Sequence, residues 1–257
     1  DPRTVLADWM TNPSNPYFAK AVVNRTWSSL LGRGIVDPVD DFRASNPPTN
    51  EPLLDALAKD FADHGFDWKH SLRTILNSRA YQLSARTNPF NASDTKYFSH
   101  ANTRLQSAEQ LLDSICLLTG VEEKFAGLPP GTRATALPSP DVDHPFLKTF
   151  GQPARETACQ CERGTDSNLS QALQLIGGAT VNGKLHDDAG RMNQLAKSGK
   201  TPEAITKELY MIALCREPND TELAAAVKHL KAGKDLRAAV EDLGWVLINS
   251  KEFLFRH

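Results

Sequence analysis

Residues 121–168 constrain the fold of this chain more than any other stretch, because proline and glycine are dense there. Apolar residues recur at helical spacing on both sides of this segment, but no helical period survives within it. A long segment of this kind inside a compact domain is usually functional or a linker. The sequence therefore predicts a mostly α-helical protein, an irregular helical bundle in two packed lobes. Residues 1–120 form the N-terminal lobe, 121–168 the Pro/Gly-rich segment and 169–257 the C-terminal lobe, together making one compact domain.

Start and stop signals place the helices within each lobe. Asn15 and Pro16 suit the beginning of a helix that runs to about residue 31, and Asp67 caps another. Ser107 with Gln110 resembles a capping box. Further helices are predicted at about 51–64, 169–176, 188–198, 202–215, 221–232 and 235–249, and a short strand at 132–137. The tryptophans fall at helical core positions and are expected to pack inside; they are Trp9, Trp27, Trp68 and Trp245.

The Pro/Gly-rich segment carries apolar anchors that a disordered linker would lack. These are Phe146, Leu147 and Phe150. We therefore expect residues 129–165 to pack across the junction of the two lobes.

A weak internal repeat relates residues 75–83 to residues 247–255. Both stretches end an apolar helix, and each holds a serine, Ser78 or Ser250, suited to cap a short turn that tucks an aromatic side chain inward. Two similar helix-to-helix corners explain the likeness better than duplication does.

Composition narrows the class of protein. A net charge of −2 with no long basic run argues against a nucleic-acid binder, and no stretch approaches the ~20 apolar residues of a membrane span. Four cysteines without a CxxC pair argue against a disulfide scaffold and against haem attachment within this chain. The chain begins Asp1-Pro2-Arg3 without Met or a signal peptide, so it is interpreted as a piece of something longer.

The main candidate site is the pair Cys159 and Cys161, because residues two apart point the same way in an extended backbone. Two thiolates would supply half of a tetrahedral site for a transition metal. Arg155 and Arg163 would favour a reactive thiolate, whereas Glu162 opposes it.

Three interpretations of this pair stay open. We favour a structural disulfide or buried thiols over a metal site, and a metal site over a redox or catalytic thiol. A disulfide would join the pair directly, with strain, or reach Cys116 or Cys215. A metal would need further ligands, for which His144, His186 or Glu162 are available although no spacing signals them.

Other clusters of ligand-type residues are weaker. Asp37, Asp40 and Asp41 are weak metal candidates, because their spacing does not fit a calcium loop and nearby arginines offer ion pairs instead. His64 and His70 flank a helix break six residues apart, which is a poor spacing for shared ligation. We interpret them as partly exposed polar residues.

Several strings carry a family resemblance, and they are spread over nearly the whole chain. They are Asn15 to Ala19, Val23 to Trp27, Leu31 to Val36, Asp40 to Pro48, Ile75 to Arg79, Cys159 to Arg163, Leu169 to Leu173 and Asn249 to Phe255. Together they resemble the planctomycete-rich domain of unknown function number fifteen fifty-three, also called PSD-one. Gln160 departs from the pattern, since a glutamate is commoner between the two cysteines.

The resemblance implies a setting rather than a reaction. Such domains usually form the C-terminal part of large exported proteins with a cytochrome-c-like domain upstream, so it implies an extracytoplasmic location and a partner within the same polypeptide. The family has no established activity, so it contributes no catalytic residues.

Two classes of function follow. The first is a non-catalytic structural or docking module of an exported, cytochrome-c-linked protein. The alternative is an enzyme domain acting on extracellular polysaccharide or a redox substrate, with a site near the CxC motif. No cofactor is predicted with certainty; a transition metal at Cys159 and Cys161 is the candidate.

Overall fold

A computed structural model describes residues 1–12, 14–139, 142–153 and 169–256. Within this part of the chain 55% of the residues are helical, which confirms the mostly α-helical fold class. The contacts divide the chain into two compact units, of which unit 1 comprises residues 1–104 and unit 2 comprises residues 105–256.

The described helices of unit 1 are α1 (Pro2–Met10), α2 (Phe18–Leu31), α3 (Glu51–Asp63) and α4 (Trp68–Leu76). Asp67 caps α4 as predicted, since its side chain accepts hydrogen bonds from the amides of Lys69 and His70. Helix α2 begins later than predicted, at Phe18, and Asn15 instead holds the turn before it by accepting from the amides of Tyr17 and Phe18. Helix α2 packs against α3 and α4.

The core of unit 1 surrounds α2. Trp27, Leu54, Phe61 and Ile75 are buried in one cluster with Ile35 from the loop after α2. The loop itself is held by a polar residue, since the buried Asn24 side chain donates to the carbonyls of Val36 and Val39 and accepts from the Val36 amide at 2.8–3.0 Å.

The described elements of unit 2 begin with α5 (Ala108–Thr119), a 3₁₀ turn (Ala134–Ala136) and α6 (Pro145–Thr149). They continue with α7 (Leu169–Gly177), α8 (Ala179–Leu185), α9 (Arg191–Lys197), α10 (Pro202–Leu214), α11 (Asp220–Ala232), α12 (Leu236–Ile248) and α13 (Lys251–Leu254). Two short strands, β1 (Arg104–Leu105) and β2 (Phe255–Arg256), pair with each other.

Helix α5 lies in the core of unit 2. Its Leu111, Leu112, Ile115 and Leu118 are fully buried in the cluster that also holds α10 and α12 side chains. Sequence analysis placed residues 1–120 in one lobe, whereas the contacts group α5 with the C-terminal helices, because its apolar face is covered by them. The Ser107 and Gln110 capping box of α5 is present.

The described part of the Pro/Gly-rich segment is anchored in unit 2. Phe146, Leu147 and Phe150 are buried in its core, as expected for apolar anchors. Packing across a junction of two lobes stays a prediction. The predicted strand at 132–137 is wrong, because the Asp113 carboxylate accepts the amides of Ala134 and Thr135 and curls this stretch into a 3₁₀ turn against α5.

The expectation for the tryptophans holds only in part. Trp27 is buried, but Trp9 and Trp68 are more than half exposed. The Trp68 indole donates to the Thr26 hydroxyl at 3.0 Å, and that of Trp245 donates to the Ile176 carbonyl. The hydrophobic pattern correctly predicted the helices that contain Trp68 and Trp245. It did not predict which face of each helix is covered by other parts of the chain.

None of the helices in the described part of the chain has the length and apolar character that a bilayer crossing requires.

Candidate functional site

The CxC motif and the charged residues beside it lie outside the described residues. This applies to Arg155, Cys159, Cys161, Glu162 and Arg163. Their engagement in a disulfide or on a metal stays a prediction. Cys116, half-buried on α5, and Cys215, exposed after α10, are free thiols.

The aspartates of the loop after α2 are engaged by arginines. Asp40 pairs with Arg25 at 2.6 Å, Asp41 pairs with Arg43 at 2.6 Å, and Asp37 lies 3.2 Å from Arg33. The Arg43 guanidinium lowers the pKa of Asp41. Within the described ranges these three carboxylates do not converge on one point, so the geometry favours ion pairing over the weak metal assignment.

An open cleft of about 390 Å³ lies beside α5 in unit 2, and we call it the α5 cleft. It is lined by Asp113, Cys116, Glu122, Glu123, Arg133 and Arg191, among others. Charged groups of both signs therefore converge around one half-buried thiol.

Two of the charged lining residues support the walls. The Arg191 guanidinium donates to the carbonyls of Leu117 and Leu118, which satisfies the C-terminal end of α5. The Asp113 carboxylate holds the 3₁₀ turn, as described above. Glu122, Glu123, Arg133 and Cys116 remain as the groups that chemically define the cleft.

A buried cation fixes the loop that follows α5. The Lys184 side chain, 8% exposed, reaches from α8 and donates to the carbonyls of Val121 and Glu122 at 3.1 and 3.0 Å. Its ammonium group also lies 3.3 Å from the Glu123 carboxylate, which offsets the cost of burying its charge. This lysine connects the C-terminal helices to the rim of the α5 cleft.

Glu123 is held in its charged form. Burial alone would raise its pKa, but the hydrogen bond from His144 and the charge of Lys184 outweigh burial and lower the pKa to about 2. The Nε2 atom of His144 lies 3.6 Å from this carboxylate, and its Nδ1 atom is buried without a hydrogen-bond partner within the described part of the chain. His144, suggested by sequence as a metal ligand, thus lies beside the cleft wall.

The Cys116 thiol is disfavoured as a nucleophile. Burial raises its pKa, and the nearby Lys184 offsets this only in part. At neutral pH the thiol is protonated, and thiolate is the reactive form. The α5 cleft is therefore suited to bind a polar ligand rather than to attack one through Cys116.

The other histidine suggested as a ligand stands apart from this site. His186 lies 3.3 Å from the Glu241 carboxylate, and its Nδ1 atom is 2.7 Å from the Asn182 carbonyl oxygen. Its contacts are those of a helix end.

A second polar cluster was missed by sequence reasoning. Asp60, His64 and His70 offer ligand-type atoms that all lie within 4.8 Å of one another at the α3–α4 corner. Six residues separate His64 and His70 in the sequence, but the chain reverses at Gly65 and Phe66 and stacks the two rings with their centroids 3.8 Å apart. Both side chains are partly exposed, as the sequence predicted. The i to i+4 spacing of Asp60 and His64 was the available signal.

Helix α1 exposes an apolar face. Val5, Leu6, Trp9 and Met10 are all solvent-exposed, and α1 has no buried residue. At 3.6 residues per turn these four side chains share one side of the helix.

Comparison with known proteins gives one family. The chain matches the family model PSD1, a protein of unknown function (DUF1553), over residues 2–230. It belongs to this family. No curated protein and no solved structure matches the chain.

The PSD1 strings of unit 1 have structural roles. Asn24 holds the loop after α2, Arg25 pairs with Asp40, and Thr26 accepts the Trp68 indole. These three residues therefore connect elements of unit 1 to one another. The PSD1 match stops within α11, although α12 and α13 contribute to the same core.

Proposed function

We propose that this PSD1-family chain is a structural docking module of a larger exported protein and works in an extracytoplasmic setting. Its proposed partner is another domain of the same polypeptide, a cytochrome-c-like domain. The observation that carries the proposal is the exposed apolar face of α1, formed by Val5, Leu6, Trp9 and Met10.

A nine-residue helix is marginal in water unless its apolar face packs against something. Val5 is 71% exposed and Trp9 59% exposed, so within the described residues that face is uncovered. Contiguous exposed apolar side chains mark interaction sites, and tryptophan is a frequent hot spot. Such a face fits a helix-in-groove contact with a partner domain.

The setting rests on the family resemblance and on cysteine chemistry. The resemblance implies an upstream cytochrome-c-like domain in the same polypeptide. A disulfide involving Cys159 and Cys161, which we also propose, fits an oxidising compartment. The cytochrome-c-like domain would supply the redox centre, and this chain would position it.

The test is calorimetric titration of the chain with the separately expressed cytochrome-c-like domain. The double variant Leu6→Gln/Trp9→Gln should weaken binding by at least about tenfold, because it removes a hot spot without adding charge. Tyr97→Gln is the matched control, since Tyr97 is an exposed aromatic elsewhere in unit 1, and its affinity should equal that of the wild type. Absence of binding, or equal affinity for all three chains, would contradict the proposal.

The α5 cleft supports a second candidate function, that of an enzyme domain. Its volume suits a small ligand, and Glu123 and Arg133 offer charges of both signs. Metal analysis followed by a screen of glycans and small molecules tests it. Binding that Arg133→Ala abolishes would support a ligand site there, and a screen without binders would remove this candidate.

A further inference from the structure

The α3–α4 corner brings together three side chains that a divalent metal prefers. Asp60 lies on α3 one turn before its end, His64 follows the last residue of α3, and His70 lies in the first turn of α4. Imidazole nitrogen and carboxylate oxygen are the ligands that zinc, cobalt and nickel accept. We propose that Asp60, His64 and His70 form a binding site for a divalent transition metal, with Zn²⁺ as the preferred ion.

The distances between the donor atoms suit such an ion. The His70 Nε2 atom lies 2.9 Å from one carboxylate oxygen of Asp60, and the His64 Nδ1 atom lies 3.3 Å from the other. Ligands about 2.0–2.1 Å from a tetrahedral zinc ion are separated by roughly 3.3 Å. The corner therefore holds its donors near the spacing of a metal site.

The backbone that carries His70 is held in place before any metal arrives. The Asp67 carboxylate accepts the Lys69 and His70 amides and so fixes the start of α4. The rings of His64 and His70 stack with an interplanar angle of 16°, so one imidazole has to turn for both nitrogens to face one ion.

The corner has an entry path and room for water. The side chains of Asp60, His64 and His70 are 35%, 49% and 32% exposed. Three protein ligands plus a solvent-filled fourth position make an open zinc site, in contrast to the closed four-ligand sites of structural zinc. The proposed site is therefore one that loads and exchanges its ion from solution.

Metal binding selects one tautomer of each imidazole. The His64 Nδ1 atom also lies 2.8 Å from the Asp60 carbonyl oxygen, and a proton held between these atoms has to move to Nε2 before Nδ1 binds a metal. The nitrogen of His70 that faces Asp60 must likewise present its lone pair to the ion. A neutral imidazole meets this requirement by carrying its proton on the other ring nitrogen.

The experiment titrates the chelator-treated, full 257-residue chain with Zn²⁺ by calorimetry and with Co²⁺ by visible absorption. The CxC pair is removed as a competing site in a Cys159→Ser/Cys161→Ser background. We expect one ion per chain and a Co²⁺ spectrum without thiolate charge-transfer bands.

Ligand variants decide the assignment. His70→Ala and Asp60→Asn should each weaken Zn²⁺ binding by at least about tenfold. His229→Ala is the matched control, because His229 forms a similar exposed pair with Asp242 at 3.3 Å in unit 2, and its affinity should match the background chain. Circular dichroism verifies that each variant is folded, and His64→Ala replaces any variant that is not. No binding of micromolar Zn²⁺, or binding unchanged by both ligand substitutions, would overturn the proposal.

Discussion

At the scale of single residues, buried polar side chains hold irregular loops in place in both units. Asn24 in unit 1 and Lys184 in unit 2 each hold an irregular loop through main-chain hydrogen bonds. Loops without regular structure must satisfy their backbone groups somewhere, and a buried side chain is one solution. Both units thus hold a loop with a buried side chain, through the amide of Asn24 in unit 1 and the ammonium group of Lys184 in unit 2.

Replacing Asn24 with alanine should destabilise unit 1 by about 2–3 kcal/mol, because the buried amide and carbonyls at Val36 and Val39 lose their partners. Urea denaturation measures the change. Asn77→Ala is the control: Asn77 is exposed and donates to a carbonyl at a helix end, so its loss should change stability by well under about 1 kcal/mol. An Asn24 variant as stable as wild type would show that the loop is held by other contacts.

Glu123 gives a prediction for pH dependence. Its pKa is lowered from 4.5 to about 2 in the folded chain, so its contribution to stability is present above pH 4.5 and is lost as the pH falls towards 2. Glu123→Gln should therefore flatten the fall in melting temperature of unit 2 between these two pH values. Glu217→Gln, an exposed partner of Lys207, serves as the control and should leave the slope unchanged. Parallel curves for wild type and Glu123→Gln would contradict the assigned charge state.

At the scale of elements, the sequence predicted those features that depend on residues close to one another along the chain, such as helix caps. The caps at Asp67 and Ser107 are where the sequence puts them, because a capping side chain reaches only amides two or three residues away. Helices α1, α6 and α8 escaped prediction, since none has a long apolar period. The α3–α4 corner escaped because the stacking of His64 on His70 is a tertiary contact that spacing along one helix does not reveal.

The two similar corners also show where sequence stops being informative. Ser78 and Ser250 each accept an amide hydrogen bond at 3.2 Å from the residue three positions on, as predicted. The aromatic residue after Ser250, Phe253, is buried, but its counterpart Tyr81 is exposed. The same serine cap therefore leads to different burial of the aromatic residue three positions on.

The corners can be compared by paired substitutions. Phe253→Ala should destabilise unit 2 by about 3–5 kcal/mol through the cavity that it leaves. Tyr81→Ala should cost less than about 1 kcal/mol, since Tyr81 is 41% exposed and does not belong to the buried core. Thermal unfolding of the two variants measures the difference. Similar losses of stability at both corners would mean that Tyr81 packs against something in solution.

At the scale of the whole molecule, the family match ends before the folded unit does. The match ends at residue 230, but Val240, Leu247, Ile248 and Phe253 lie beyond it and belong to the core of unit 2. The last two helices are therefore part of the fold.

A chain that stops at Leu230 should lose the cooperative unfolding transition of unit 2, because α12 and α13 no longer cover α9 and α10. A chain that starts at Ser14 is the matched truncation, and it should unfold as the wild type does because none of residues 1–12 is buried. Circular dichroism during thermal unfolding measures both. A sharp native transition in the first truncation would show that the core of unit 2 closes without these helices.

The proposed docking role requires a partner that covers α1. Hydrogen exchange of the residue 3–10 amides, measured in the chain alone and in the same chain bound to the proposed cytochrome-c-like partner domain, tests this directly. We predict fast exchange in the isolated chain, because a short helix with an uncovered apolar face opens readily, and at least about tenfold slower exchange in the complex. Equal exchange rates in the two states would contradict the assignment of α1 as the docking element.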